Sequence, residues 1–240
     1  MDPLFWKLHS GLAHEAPGSR ADTLRALALT GLSGPLRVLD AGSGPGAASL
    51  TLLEALPEAE VTALDLHEPF LADARARAEA AGLGARLRTC VGDMEAPPPF
   101  APGSFDLIWS EGAAYAIGVP QALAAWKPLL APGGRIAFTD AVWTVANPHP
   151  RVRALFADYA EMTDIDGVRG RIAAAGLRLI ADFLISEAAW AAYYDPLAAR
   201  LESLADRHGP SHPILVQTAV EIALRREHPA DYGYAFFVVA

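Results

Sequence analysis

The ten residues from Arg37 to Gly46, RVLDAGSGPG, decide the fold of this chain. Apolar residues lead to Asp40, and glycines follow at positions 42, 44 and 46. The next residues, AASLTLL at 47–53, have the composition of a helix. A short strand that turns through glycines into a helix is typical of the first unit of a parallel α/β sheet. Glycines without Cβ let the backbone of such a turn come close to a bound molecule.

The sequence on both sides of this unit alternates between strand-like and helix-like segments. Strands are predicted over 36–39, 60–66, 87–91, 104–109, 135–139, 177–185 and 234–239. Helices are predicted over 3–14, 19–31, 46–55, 69–81, 119–130, 151–162, 166–175 and 187–228, the last with breaks at Asp195-Pro196 and Gly209-Pro210. This alternation predicts an α/β fold with a mostly parallel sheet and right-handed crossovers.

Length and composition narrow the class of protein. The 240 residues suit one α/β domain, and the net charge of −9 without a long basic run argues against binding to nucleic acid. Cys90 is the only cysteine, so we expect neither an intramolecular disulfide nor a cysteine-based metal site. The first residues do not have the pattern of a signal peptide, and no apolar stretch reaches the length of a membrane span. We therefore expect a cytoplasmic protein without bound metal or membrane.

Three carboxylates follow three predicted strands at their carboxyl ends, where open α/β sheets bind ligands: Asp40, Asp65 and Asp93. Asp65 can accept hydrogen bonds from ribose hydroxyls, and Asp93 can accept one from an adenine amino group, with Met94 on the ring face. The pattern Gly42-x-Gly44-x-x-Ala47 also fits a dinucleotide site. Asp40 separates the two interpretations, because a carboxylate there repels a pyrophosphate and attracts the cationic amine of S-adenosylmethionine.

These residues resemble the motifs of class I S-adenosylmethionine-dependent methyltransferases. Asp40-x-Gly42-x-Gly44-x-Gly46 matches the first motif, and LLAPGGRI at 129–136 matches the turn before the fifth strand. The resemblance implies a Rossmann-like, doubly wound, seven-stranded sheet, mostly parallel, with the last strand antiparallel and helical cap insertions. It also implies S-adenosylmethionine as the cofactor, which becomes S-adenosylhomocysteine. The implied cofactor-binding residues are Asp40, Gly42, Ser43, Gly44, Gly46, Asp65, Leu66, Asp93, Met94 and Ser110.

A narrower resemblance extends over nearly the whole chain. The segments SEGAAYAIG at 110–118, PGS at 17–19 and DYGYAFF at 231–237 are similar to a group of bacterial methyltransferases with no established substrate. This likeness supports the fold and the cofactor and leaves the methyl acceptor open.

The predicted organisation is a single methyltransferase domain over residues 1–240. Residues 1–33 form N-terminal helices, and 34–143 form the cofactor-binding core. Helical segments at 144–175 and 187–230 cover the substrate, and strands at 176–186 and 231–240 close the sheet.

Methyl transfer requires a placed nucleophile, and a base only if the acceptor must lose a proton. Glu111 and Tyr115, which follow the fourth strand, are the candidate catalytic residues. Aromatic and acidic residues of the second half are candidates for binding a small-molecule acceptor: Asp140, Trp143, Trp190, Tyr193 and Tyr194. The sequence Asn147-Pro148-His149 departs from the Asn-Pro-Pro-Tyr motif of amino-group methyltransferases, which disfavours nucleic-acid adenine and protein glutamine as acceptors.

Two other functions remain open at this point. An NAD-dependent oxidoreductase is disfavoured by Asp40 and by the absence of a Tyr-x-x-x-Lys pair at Tyr115, which is followed four residues later by Val119. A protein that binds S-adenosylmethionine without turnover is compatible with the sequence, because the acceptor residues do not form a motif. The oligomeric state has no sequence signal.

Overall fold

The computed structural model describes residues 2–240 and contains a seven-stranded sheet. Its strands lie in the order β3-β2-β1-β4-β5-β7-β6. Strands β1 to β5 pair in parallel, whereas β7 is antiparallel to both β5 and β6. The predicted fold class is therefore confirmed. The strands are β1 (Arg37–Ala41), β2 (Glu60–Asp65), β3 (Leu87–Val91), β4 (Phe105–Ser110), β5 (Leu130–Trp143), β6 (Leu179–Leu184) and β7 (Tyr232–Val239).

Helices cover both faces of this sheet. They are α1 (Pro3–His9), α2 (Arg20–Thr30), α3 (Ala47–Ala55), α4 (Glu68–Ala80), α5 (Val119–Trp126), α6 (Pro150–Leu155), α7 (Ile165–Ala174), α8 (Glu187–His208) and α9 (Pro213–Glu227). Within residues 2–240, none of these helices combines the length and the apolar character needed to cross a membrane.

Two apolar cores lie on opposite faces of the sheet, and β7 contributes to both. Phe236 is buried in the core that contains α2, α3 and α8, and Phe237 is buried in the core that contains α5 and α7. Neighbouring residues of a strand point to opposite faces, so a strand covered on both sides is continuously apolar. The sequence YGYAFFVV of β7 is buried at every position, which explains why it lies inside the sheet although it comes last in the chain.

Local signals set the boundaries of α2. The Ser19 side chain accepts a hydrogen bond from the Asp22 backbone N–H at the start of α2, and Gly31 ends this helix in the left-handed conformation. The predicted start and end of α2 are confirmed.

The break expected at Asp195-Pro196 is wrong, because α8 continues through Pro196 to His208. Proline removes one backbone hydrogen bond, and buried Tyr193 and Leu197 on either side of it keep the helix packed. The break at Gly209 is confirmed.

Three predicted helices are too long: the structure ends α1 at His9, α5 at Trp126 and α6 at Leu155. Strand β5 begins at Leu130 and ends at Trp143, well beyond the predicted 135–139.

Arg225 of α9 attaches the α8–α9 pair to β7. Arg225 is only 4% exposed. Its guanidinium lies 3.9 Å from the ring centre of Trp190 and donates to the Glu187 carboxylate at 2.9 Å and to the Tyr232 carbonyl at 3.0 Å. A buried guanidinium needs such partners, because an unpaired charge away from water is strongly destabilising. The helical pair is therefore fixed against the end of β7.

Replacing Phe236 by alanine should lower the free energy of unfolding by about 3–5 kcal/mol, because the ring is fully buried and packs on Phe183 and Trp109. Urea denaturation measures this change. Val220→Ala, at a position 38% exposed on α9, is the control and should stay within about 0.5 kcal/mol. Equal effects of the two changes would contradict the assignment of β7 to the core.

Candidate functional site

The glycine turn after β1 brings three segments close together. A Cβ on Gly42 would lie 2.4 Å from the Cβ of Ala113, in the loop after β4. A Cβ on Gly46 would lie 2.8 Å from the Cβ of Ala74 on α4. Both glycines have positive φ angles, +72° and +85°, which other residues rarely adopt. The turn therefore requires glycine for close packing as well as for its backbone conformation.

The backbone N–H groups of this turn are already used inside the protein. Those of Gly42 and Ser43 donate to the Leu64 carbonyl at 2.8 and 3.0 Å. The N–H of Gly44 donates to Asp65 Oδ2 at 2.8 Å, and that of Gly46 donates to the Ser43 carbonyl at 3.0 Å. Phosphate-binding turns use free backbone N–H groups to hold the anion. None of these four N–H groups is free to do so.

Asp65 links the glycine turn to the start of α4. Its Oδ2 accepts from Gly44, and its Oδ1 accepts from the His67 backbone N–H at 2.8 Å. Each carboxylate oxygen has further acceptor capacity, so the group can still bind ligand hydroxyls. The predicted ribose-binding residue thus also has a structural role that the sequence did not reveal.

Asp40 lies below the turn and is 1% exposed. Its Oδ2 accepts a hydrogen bond of 2.6 Å from the Ser49 hydroxyl on α3. Burial raises the pKa of the Asp40 carboxyl to about 7, although the hydrogen bond from Ser49 opposes the shift. A nearby cation would favour the ionised form and lower this pKa.

A cavity of about 440 Å³, hereafter the first cavity, lies at the carboxyl ends of β1 to β4. Eight of the ten predicted cofactor residues line it: Asp40, Gly42, Ser43, Gly44, Asp65, Leu66, Asp93 and Met94. Gly46 and Ser110 are not in the lining. Gly46 packs on α4, and the Ser110 hydroxyl donates to the Ala41 carbonyl at 2.8 Å, which joins β4 to β1. The Ser43 hydroxyl in the lining is buried and has no hydrogen-bond partner in the described chain.

Residues 13–18, which follow α1, form one wall of the first cavity. Arg77 of α4 holds this segment by donating to the Leu12 carbonyl at 2.7 Å and the Ala13 carbonyl at 3.3 Å. The sequence analysis did not assign this segment to the cofactor site, because its residues follow no cofactor motif. The Pro17-Gly18-Ser19 break was the only local signal that the chain turns here.

Glu111 is in the first cavity and is tied to the scaffold. Its Oε1 accepts hydrogen bonds from the Thr23 hydroxyl at 2.8 Å and from Trp109 Nε1 at 2.7 Å. Burial raises the pKa of Glu111 to about 7, against the effect of these two hydrogen bonds. The side chain therefore connects α2 to β4 at the edge of the site.

A second cavity of about 490 Å³ lies between α1, α8, α9 and the end of β7. All six tyrosines of the chain line it: Tyr115, Tyr159, Tyr193, Tyr194, Tyr232 and Tyr234. Trp190 lines it as well, so three of the five predicted acceptor-binding residues, Trp190, Tyr193 and Tyr194, come together there.

Asp140 and Trp143 are outside the lining of both cavities. Asp140 accepts hydrogen bonds from the Tyr159 hydroxyl at 3.0 and 3.1 Å, and so positions one ring of the second cavity. Trp143 packs edge to face on Phe156 and donates from Nε1 to the Met162 carbonyl at 3.2 Å.

The two cavities share Glu15, Ala16, Pro17, Tyr115 and Ala116 in their linings. Glu15 Oε2 lies 2.7 Å from His9 Nδ1, whereas Glu15 Oε1 is buried without a hydrogen-bond partner in the described chain. Burial raises the pKa of Glu15, and the hydrogen bond with His9 opposes this shift. Sequence reasoning did not select Glu15, because an isolated acid between two helices has no pattern.

Comparison with known proteins finds a family match within the segment predicted as the cofactor-binding core, residues 34–143. Residues 38–134 match the family described as "Methyltransferase domain". A ubiquinone/menaquinone biosynthesis C-methyltransferase from Dinoroseobacter shibae is 45% identical over 101 residues, which are 42% of this chain and 40% of the relative. The chain thus matches less than half the length of this relative.

Solved structures match over the whole chain at low sequence identity. A methyltransferase from Geobacter sulfurreducens in complex with S-adenosyl-L-homocysteine has a TM-score of 0.84, with 18% identity and coverage of 100% of this chain and 98% of the other. The [4+2]-cyclase SpnF has a TM-score of 0.79, with 21% identity and coverage of 99% and 90%. Residues 38–134 therefore match the methyltransferase domain family, and the chain as a whole has the same fold as these solved structures.

Proposed function

We propose that this protein is an S-adenosylmethionine-dependent methyltransferase that acts on a small molecule. The observation that carries this proposal is the junction of the two cavities at Glu15 and Tyr115. One cavity has the acidic residues that suit a cationic nucleoside, and the other is an aromatic pocket of a size typical for small ligands. Their junction is where a methyl group would pass from cofactor to acceptor.

The residues of the first cavity fit S-adenosylmethionine better than a dinucleotide. Asp40, Asp65 and Asp93 give its lining a negative charge, and the glycine-turn N–H groups are used internally. A pyrophosphate would be repelled by these carboxylates and would find none of the N–H groups of Gly42, Ser43, Gly44 and Gly46 free. The unpartnered Ser43 hydroxyl offers a hydrogen bond to a polar ligand group.

When bound, S-adenosylmethionine would supply an electrophilic methyl group on a sulfonium, with the thioether as the leaving group for in-line attack by a nucleophile. The chain contributes placement and exclusion of water, and orientation alone is worth roughly 7–11 kcal/mol in favourable cases. Tyr115 stands at the junction, where its ring can orient the acceptor. Of the two predicted catalytic residues, Glu111 is the weaker candidate, because its Oε1 already accepts hydrogen bonds from Thr23 and Trp109.

The acceptor does not follow from the relatives. The Dinoroseobacter shibae protein is named for quinone biosynthesis, but its match covers only 42% of this chain. The structure of a cyclase with the same fold also means that fold alone does not establish methyl transfer. Turnover must therefore be measured directly.

Titration calorimetry with S-adenosylhomocysteine and with NAD tests the proposal. Saturable binding of S-adenosylhomocysteine, no binding of NAD, and methylation of an added small nucleophile by S-adenosylmethionine would support it. Binding of NAD alone would overturn it. Binding of S-adenosylhomocysteine without turnover on any nucleophile would leave a cofactor-binding protein and contradict the enzymatic part.

Asp65→Ala should weaken the binding of S-adenosylhomocysteine by more than about tenfold, because it removes an acceptor for ribose hydroxyls and the anchor of Gly44. Asp93→Ala should have a similar effect through the adenine amino group. Asp206→Ala, on the exposed side of α8, is the matched control and should leave the dissociation constant unchanged. Unchanged affinity in both Asp65→Ala and Asp93→Ala would show that the ligand binds elsewhere.

Affinity for S-adenosylhomocysteine should increase as the pH rises from 6 to 8. The pKa of Asp40 is about 7 without ligand, so binding of an ammonium beside it must release a proton at low pH. The dissociation constant should then fall by at most about tenfold per pH unit below pH 7 and level off above it.

Asp40→Asn should flatten this profile and weaken binding at pH 8. Glu111 also has a pKa of about 7 in the same cavity. Glu111→Gln therefore tests which of the two carboxyl groups causes the pH dependence. A wild-type profile retained in Asp40→Asn and lost in Glu111→Gln would assign the proton to Glu111 instead.

A further inference from the structure

The second cavity has an unusual combination of rings and acids. Besides its six tyrosines it is lined by Glu15, Asp158 and Glu221. Within residues 2–240, no lysine or arginine lines it, and the imidazole of His9 is already hydrogen-bonded to Glu15. An anionic acceptor would therefore lose its hydration without gaining a positive partner.

The acids of this cavity are held in place by neighbouring side chains. Glu221 Oε1 accepts a hydrogen bond of 2.8 Å from the Tyr194 hydroxyl. Burial raises the pKa of Glu221, so its carboxylate would be stabilised by a cation. Glu15 Oε1 is buried and lacks a partner, which is uncommon for a carboxylate oxygen unless a ligand supplies the donor.

The rings form a connected wall around these acids. Trp190 lies with its ring centre 5.3 Å from that of Tyr234 and 5.4 Å from that of Tyr232, and Tyr193 is 5.0 Å from Tyr194. The face of each ring carries a negative partial charge that attracts ammonium groups. Arg225 packs on one face of Trp190 but is not in the lining of the second cavity, so it does not fill this cavity.

Granted the proposed methyltransferase function, we infer that the acceptor is an apolar amine, which binds as its ammonium ion in the second cavity between the tyrosine rings, Glu15 and Glu221. A neutral apolar acceptor would match the rings and leave Glu15 Oε1 without a hydrogen-bond partner among residues 2–240. An ammonium matches the rings and the acids together. The volume of about 490 Å³ leaves room for a substantial apolar group attached to the nitrogen.

The position of Glu15 suits the proton transfer that such an acceptor requires. The ammonium gives one proton to the Glu15 carboxylate and becomes a neutral amine with a free electron pair. The amine nitrogen then forms a bond to the methyl carbon, whose bond to sulfur breaks with its electron pair left on sulfur. The product is an N-methylammonium, and the proton on Glu15 can leave through His9 at 2.7 Å.

Binding of two isosteric probes tests the charge preference without turnover. Benzyltrimethylammonium and neopentylbenzene have the same shape and differ in charge. Saturating S-adenosylhomocysteine is present in both titrations, so the acidic first cavity is filled. We expect the cation to bind at least about tenfold more tightly than the neutral probe. Equal or weaker binding of the cation overturns the amine assignment, whereas failure of S-adenosylhomocysteine to bind would overturn the proposed function itself.

Variants locate the cation in the second cavity. Glu221→Gln keeps the shape and an acceptor for Tyr194, and should weaken binding of benzyltrimethylammonium at least about fivefold while binding of neopentylbenzene stays within about twofold. Glu202→Gln, exposed on α8, is the matched control. Tyr193→Phe should retain the preference for the cation, and Tyr193→Leu should reduce it. An unchanged preference in both Glu221→Gln and Tyr193→Leu would place the cation elsewhere and refute the inference.

A turnover measurement then tests Glu15. With phenethylamine as acceptor, Glu15→Gln should lower kcat at least about a hundredfold and leave the dissociation constant of S-adenosylhomocysteine within about threefold. A normal kcat in Glu15→Gln would show that the proton goes to another group.

Discussion

The site depends on the hydrogen bonds by which the end of β2 holds the glycine turn after β1. The Leu64 carbonyl and the Asp65 carboxylate together take the N–H groups of Gly42, Ser43 and Gly44. This fixes the turn close to the sheet and directs its backbone donors away from any ligand. The first cavity is consequently lined by carboxylates beside a turn whose own N–H groups are satisfied within the protein, which affects the kind of nucleoside that such a turn can accept.

The burial of acidic side chains is the second constraint on the two cavities. Asp40 and Glu111 have pKa values raised to about 7, and Glu15 and Glu221 are shifted in the same direction, in each case because burial disfavours the charged form. Their ionised forms destabilise the empty protein, and a bound cation would relieve this. A negative site of this kind is ready for positive ligands in both cavities, which links the cofactor and the inferred acceptor through one electrostatic property.

Most of the residues predicted for the cofactor site line the first cavity, for a physical reason. Asp40 and Asp65 lie at the carboxyl ends of their strands and Asp93 follows the next one, so the strand pattern places all three at one edge of the sheet. The errors occur where packing overrides local preference. Pro196 stays inside α8 because buried residues on both sides hold the helix, and Gly46 and Ser110 join elements together rather than face the cavity.

By itself the sequence determined the strand–turn–helix unit and the acidic strand ends, because these depend on residues that are neighbours along the chain. The antiparallel last strand was implied only by the resemblance to methyltransferases. Only the tertiary structure determined that the residues of the second cavity come together. Its six tyrosines come from the loop after β4, the segment after α6, helix α8 and strand β7, and they meet because β7 inserts between β5 and β6. The pairing of Glu15 with His9 at the junction likewise arises from the packing of the N-terminal segment against α4 and α8, for which no local pattern exists.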